Sequence, residues 1–168
     1  MPDDTPINKQ LGEAMIAFAH QMLDFMQSKD DVMRQVHTEH YRQVVVRIAA
    51  AGFENSLAWH TLGVWTESGK ERIGCFSRAL DALTREETEN PAQNPQARWC
   101  YSHSRGHSLY EIARVHVAEG SSDVARDFLS RALPHVRKAE RWAAQAAVQP
   151  DGLADRILAL QREIQSTA

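Results

Sequence analysis

The feature that most constrains the fold of this chain is a helical spacing of apolar residues along almost its whole length. Apolar side chains recur every three or four positions, as between Leu11 and Phe25, and this spacing is typical of amphipathic helices. The only run of β-branched residues, Val44 to Val46, lies inside such a pattern. The sequence therefore predicts an all-α protein.

Glycine, proline and asparagine residues lie between the periodic segments and divide the chain into about eight predicted helices. Pro134 is expected in the first turn of a new helix, because the missing N–H costs nothing there. Because the gaps are short, we expect stacked antiparallel hairpins or a helical bundle. The predicted helices span residues 7–27, 31–51, 54–67, 68–87, 97–118, 123–133 and 134–148, and a last helix ends near 164.

Length and composition are those of one globular domain. The chain has 168 residues, of which 43% are hydrophobic and 24% charged, enough to bury a core. The net charge is −3 with both signs dispersed, which argues against nucleic-acid or membrane partners. No segment reaches the ~18–20 apolar residues of a membrane helix, and the acidic N-terminus is unlike a secretory signal. We expect a cytoplasmic protein with reduced cysteines, Cys75 and Cys100, although a disulfide stays open as the alternative.

Two segments, offset by about 50 residues, share a pattern of large and small side chains. Small residues such as Gly63 and Ala113 allow two helices to approach closely, while larger neighbours fill the flanking space. The first segment contains Trp59, Leu62, Gly63, Cys75, Ala79, Ala82 and Leu83. The second contains Leu109, Ile112, Ala113, Ala125, Leu129, Ala132 and Leu133.

At these residues the sequence resembles tetratricopeptide-repeat (TPR) proteins, and the resemblance covers residues 56–84 and 106–134. It departs from the family where Thr66 and His116 take the tyrosine position, and it has fewer than the roughly three units that usually stand alone. A non-repeat helical bundle is the alternative. The resemblance implies one domain, 1–168, in four parts. These are an N-terminal hairpin at 1–52, two TPR-like hairpins at 53–134 with an insertion near 88–97, and C-terminal helices at 135–168.

The resemblance also implies a non-catalytic protein-binding module, because TPR proteins hold peptides or helices in a groove. Small proteins of this kind include bacterial immunity proteins, chaperones and adaptors, so the expected partner is another protein, such as a toxin or secreted effector. Tyrosine and arginine in the groove are frequent interface anchors. We expect no catalytic residue, cofactor or metal ion. The groove candidates are His60, Val64 and Glu67 in the first unit and His107, Tyr110 and Arg114 in the second.

A cluster of histidines supports an alternative function, a metal-dependent helical-bundle enzyme. His103, His107 and Glu111 are spaced to share one face of a helix, and His37 and His40 are one turn apart on an earlier helix. A bundle can bring two such sets together around a metal ion. The chain has no His-Glu-x-x-His motif and no duplicated Glu-x-x-His, so a solvated polar face is the preferred interpretation.

The first predicted helix carries an apolar stripe that supports a third interpretation, a homodimer. Met15, Phe18, Met22 and Phe25 form the stripe, and methionine suits adaptable interfaces. The preferred interpretation is that this stripe packs on the second helix of the same chain.

Overall fold

The computed structural model describes residues 9–26 and 31–166, and every regular element within them is an α-helix. The all-α prediction is therefore confirmed. No helix in this part of the chain is long and apolar enough to cross a membrane. The predicted ends of the first helix, residues 7 and 27, lie outside the described residues. The helices are α1 (Lys9–Met26), α2 (Asp31–Ala50), α3 (Ser56–Trp65), α4 (Gly69–Glu89), α5 (Pro95–Ala118), α6 (Ser122–Ala143) and α7 (Leu153–Ser166).

The described residues form seven helices and not about eight, because α6 continues through Pro134. The predicted helix boundary at that residue is wrong. A proline inside a helix removes one backbone hydrogen bond and costs about 3 kcal/mol. Residues on both sides of Pro134, among them Leu129 and Val136, are nonetheless buried in one apolar cluster. Their packing, mainly against α5, offsets the missing bond and keeps the helix continuous.

Two apolar clusters hold the helices together, and each contains residues of one predicted unit. The first lies among α1 to α4, and the second lies among α5 to α7. Leu80 of α4 packs against the second cluster, so α4 contacts both. The repeat type and the stacking of hairpins stay predictions. Members from the predicted units are Trp59, Leu62, Cys75 and Ala79 in the first cluster, and Leu109, Ala113, Ala125, Leu129 and Ala132 in the second.

The segment between α4 and α5 is shorter than the predicted insertion at 88–97. It comprises residues 90–94, because α4 ends at Glu89 and α5 begins at Pro95. The side chain of Asn94 accepts a hydrogen bond from the N–H of Ala97 at 2.8 Å, and Pro95 follows it in the first turn. An Asn cap followed by proline is a strong helix start, and this local signal places the beginning of α5.

The beginning of α3 is fixed by side chains from two segments. Asn55 accepts a hydrogen bond from the N–H of Ala58 at 2.9 Å. The carboxylate of Glu86, on α4, accepts the N–H of Ser56 at 2.7 Å and its hydroxyl at 2.6 Å. A carboxylate at a helix N-terminus satisfies N–H groups that have no partner within the helix. Glu86 therefore ties α3 to α4 at one end of the pair.

The predicted stripe on α1 is only partly packed within the chain. Ile16 is buried and Met15 lies against the first cluster, whereas Phe18 is 66% exposed. The side chains of Met22 and Phe25 lie outside the described part of the structure. Packing of the stripe on α2 therefore holds for one side of the helix, and the homodimer stays a prediction.

Two glycines lie where a side chain would collide with a neighbouring helix. A Cβ atom on Gly63 would be 2.9 Å from the ring of Phe76. A Cβ atom on Gly106 would be 2.4 Å from Cγ2 of Val136 and 3.3 Å from the carbonyl oxygen of Ala132. The contact at Gly106 involves the backbone of α6, which cannot move aside as a flexible side chain can.

We expect Gly106→Ala to lower the free energy of unfolding by about 1–3 kcal/mol, because the added methyl overpacks the contact between α5 and α6. Chemical denaturation measures the change. Gly74→Ala is the matched control, because a Cβ atom there meets nothing within 4 Å. This control should gain about 0.5–1 kcal/mol from helix propensity. Equal stability of the two variants would contradict the close approach.

Candidate functional site

The two sets of predicted groove residues meet at a pair of histidines. Nε2 of His60, on α3, lies 3.0 Å from Nδ1 of His107, on α5. Tyr110 lies next to His107, with ring centroids 6.4 Å apart, and the guanidinium of Arg114 is 5.9 Å from the centre of the Tyr110 ring. The structure thus brings four of the six predicted residues into mutual contact.

The other two predicted residues, Val64 and Glu67, are exposed. Val64 lies one turn after His60 on α3, and Glu67 follows the end of that helix at Trp65. Helical spacing places Val64 on the same side of α3 as His60. We call the surface formed by the six predicted groove residues the α3–α5 face.

A chain of polar contacts runs through the histidine pair. The hydroxyl oxygen of Ser108 lies 3.0 Å from Nδ1 of His60, and Nε2 of His60 contacts Nδ1 of His107. Nε2 of His107 then faces Oε1 of Glu111 at 4.0 Å. The chain therefore runs from a hydroxyl through two imidazole rings towards a carboxylate.

The ends of this chain determine which ring nitrogens carry protons. A carboxylate only accepts, so we place the Nε2 proton of His107 towards Glu111. Nδ1 of His107 then accepts from the Nε2–H of His60. Nδ1 of His60 in turn accepts from the hydroxyl of Ser108. All donors consequently point the same way along the chain.

Burial keeps both histidines uncharged near neutral pH. It is the main cause that lowers the pKa of His60 and of His107 from 6.5 to about 4. The charge of His107 also lowers the pKa of His60, and His103, Arg156 and Arg114 lower that of His107. Two neutral imidazoles can share one hydrogen bond, whereas two imidazolium ions at this distance would repel each other.

Glu111 is a buried carboxylate with cationic partners on two helices. Only 7% of its side chain is exposed. It accepts hydrogen bonds from Nη2 of Arg72, on α4, at 2.8 Å and from Nη1 of Arg114 at 3.1 Å. A buried carboxylate is tolerated only when it is paired in this way. The two ion pairs therefore hold α4 and α5 together beneath the α3–α5 face.

A second ion pair flanks the site at the start of α7. Oδ2 of Asp151 lies 3.3 Å from Nε2 of His103 and 2.9 Å from Nη2 of Arg156. Burial raises the pKa of Asp151, but the hydrogen bond from the N–H of Leu153 and the contacts with His103 and Arg156 outweigh it, so the pKa is lowered. The ring of Trp99 stacks on His103 at 5.0 Å. Asp151 therefore connects α7 to the histidine-bearing face of α5.

The predicted metal ligands do not converge on one point. Nε2 of His103 faces Asp151, whereas Nδ1 of His107 faces His60, so their donor atoms point to different partners. His37 and His40 contact each other on α2, with ring centroids 6.2 Å apart. In the described part of the chain, no group of three or more histidine, cysteine, aspartate and glutamate side chains is placed to hold a metal ion.

The contact between Ser108 and His60 has the composition of an activated nucleophile, but its burial gives it a structural role. The nucleophile must lie within reach of a substrate atom. Ser108 is 2% exposed and lies beneath the histidine rings. We interpret the chain from Ser108 to Glu111 as a support for the surface residues above it.

Four residues of the site were not among the sequence candidates, namely Ser108, Arg72, Asp151 and Arg156. Ser108 neighbours His107 in sequence and resembled any polar residue of a solvated helix face. The other three lie on α4, on α7 and in the segment before α7. No spacing along the chain relates them to His107, because only the packing of helices brings them together.

We expect the free energy of unfolding to fall as the pH is lowered from about 6.5 to about 4. In this window the unfolded chain binds protons at both histidines, and the folded chain does not. The loss should be on the order of 3 kcal/mol across the window. Denaturant titrations at a series of pH values measure it.

His107→Gln should flatten this pH dependence, because it removes one histidine and leaves a neutral amide in its place. His40→Gln, which replaces an exposed histidine on α2, should keep the wild-type slope. The assignment fails if wild type is equally stable at both ends of the window, or if the His107 variant loses as much stability as wild type.

Comparison with known proteins leaves the geometry as the basis for assigning a function. No family model matches this chain, and no curated protein or solved structure gives a significant match. The TPR-like resemblance consequently stays a prediction that rests on the residues of the two units.

Proposed function

We propose that this chain is a non-catalytic, cytoplasmic protein-binding module of the kind that acts as a bacterial immunity protein, chaperone or adaptor. Its partner would bind on the α3–α5 face. The contact between His60 and His107 supports this most directly, because it joins the two sets of candidate residues. A partner could therefore contact both predicted units at once.

The composition of the face suits protein recognition. Tyr110 and Arg114 are residue types that commonly dominate binding energy at interfaces. Val64 is 48% exposed and the side chain of Arg114 is 52% exposed, so both can contact a partner. Apolar and cationic groups at the edge of a buried polar centre provide the mixture that typical interfaces use.

The face is also held rigid before any partner arrives. The ring of His60 is fixed by Ser108 on one side and by His107 on the other. The guanidinium of Arg114 is held by Glu111. Side chains that are already ordered lose less conformational entropy on binding, which favours affinity.

A pull-down with the purified full chain tests the proposal. We expect wild type to retain one specific protein from a native lysate of the source cells, identified by mass spectrometry. Val64→Asp combined with Arg114→Glu should reduce the retained amount by about tenfold or more, since hot-spot substitutions at interfaces cost at least this much.

The matched control is Val124→Asp combined with Arg126→Glu, both on α6. Val124 is 44% exposed and the side chain of Arg126 is 46% exposed, close to the values of the residues they match. The control should retain the partner at the wild-type level. Absence of a specific partner, or equal loss with both double variants, would rule out the α3–α5 face as the binding surface.

A further inference from the structure

We infer that the α3–α5 face binds a carboxylate of its partner, an Asp or Glu side chain in an acidic peptide segment, between Arg114 and Arg156. This inference rests on the proposed function and specifies the chemistry of the partner. The cluster that carries it consists of Tyr110 and the charged side chains around it, which we call the arginine cluster: Arg72, Tyr110, Glu111, Arg114, Asp151 and Arg156.

Two guanidinium groups share one buried aromatic ring at the centre of this cluster. The Cζ atoms of Arg114 and Arg156 lie 5.9 and 5.8 Å from the centre of the Tyr110 ring, which is 8% exposed. These distances fall within the range of cation–π attraction. Arg114 belongs to α5 and Arg156 to α7, so the ring positions two cations from separate helices beside each other.

Both arginines keep donor groups for a ligand. Arg114 uses Nη1 for its contact with Glu111, and Arg156 uses Nη2 for its contact with Asp151. A guanidinium carries five N–H donors, so each ion pair occupies only part of the group. The side chains are 52% and 47% exposed, and the remaining donors are accessible from solvent.

The charges of the cluster favour an anion over a cation. Its three arginines face two carboxylates, those of Glu111 and Asp151. The adjacent pair, His60 and His107, is uncharged near neutral pH, because burial holds both pKa values at about 4. One positive charge is left uncompensated within the cluster, so a basic segment would be repelled. A carboxylate matches the planar fork of a guanidinium with two parallel hydrogen bonds.

Selection from a random peptide library displayed on phage tests this inference without knowledge of the natural partner. The purified wild-type chain is the bait, and the Arg114→Gln/Arg156→Gln double variant removes peptides that bind elsewhere. We expect the surviving peptides to share an Asp or Glu. Replacing that residue by Asn or Gln should weaken binding about tenfold in fluorescence polarisation, and Arg156→Gln should weaken binding of the parent peptide similarly.

A double-mutant cycle then identifies the contact. If the peptide carboxylate binds Arg156, changing both should cost little more than changing either one. Arg156→Gln leaves the fold least affected, because its partner Asp151 is 44% exposed, and thermal melting checks this. Arg131→Gln is the matched control, since Arg131 on α6 also pairs with an aspartate, Asp127, and lies 5.2 Å from the ring of Phe128. The control should bind every selected peptide at the wild-type level.

The outcomes separate this inference from the proposed function. Peptides rich in lysine or arginine, peptides that bind equally to Arg156→Gln, or no enriched peptide at all would overturn the carboxylate site. Any of these results leaves the pull-down unaffected. A chain with no protein partner would instead remove the proposed function itself.

Discussion

The pairing of Glu111 is the interaction on which the rest of the site depends. A buried carboxylate is costly unless cations and donors surround it, and here Arg72 and Arg114 supply them from two helices. The same carboxylate orients the proton of His107 and, through it, that of His60. Loss of Glu111 would therefore disturb the contact of α4 with α5, the histidine pair and the position of Arg114 together.

Much of the fold follows from local sequence signals. The spacing of apolar residues identifies the helices, and Asn94 with Pro95 determines where α5 begins. Pro134 shows the limit of such reasoning. Its local preference for a helix start is real, but the burial of Leu129 and Val136 against α5 outweighs it. That burial depends on residues far away in sequence, so local signals could not reveal it.

The candidate site divides in the same way. The spacing of His107 and Glu111 places them on one face of a helix, and a repeat-like register relates His60 to His107. These relations were readable from the chain. The pairing of Glu111 with Arg72 requires knowledge of how α4 crosses α5. The same holds for Arg156, which reaches Tyr110 only because α7 packs back on α5 and α6.

The two cysteines give the chain a single accessible thiol. Both are free, but Cys75 is buried in the first apolar cluster, where burial raises the pKa of its thiol, whereas Cys100 is exposed on α5. An electrophilic dye should therefore label Cys100 selectively, because thiolate character and access both determine the rate of alkylation. Cys100 lies one helical turn before His103 and next to Trp99. The native sequence thus carries an attachment point for an optical reporter close to the histidine-bearing side of α5.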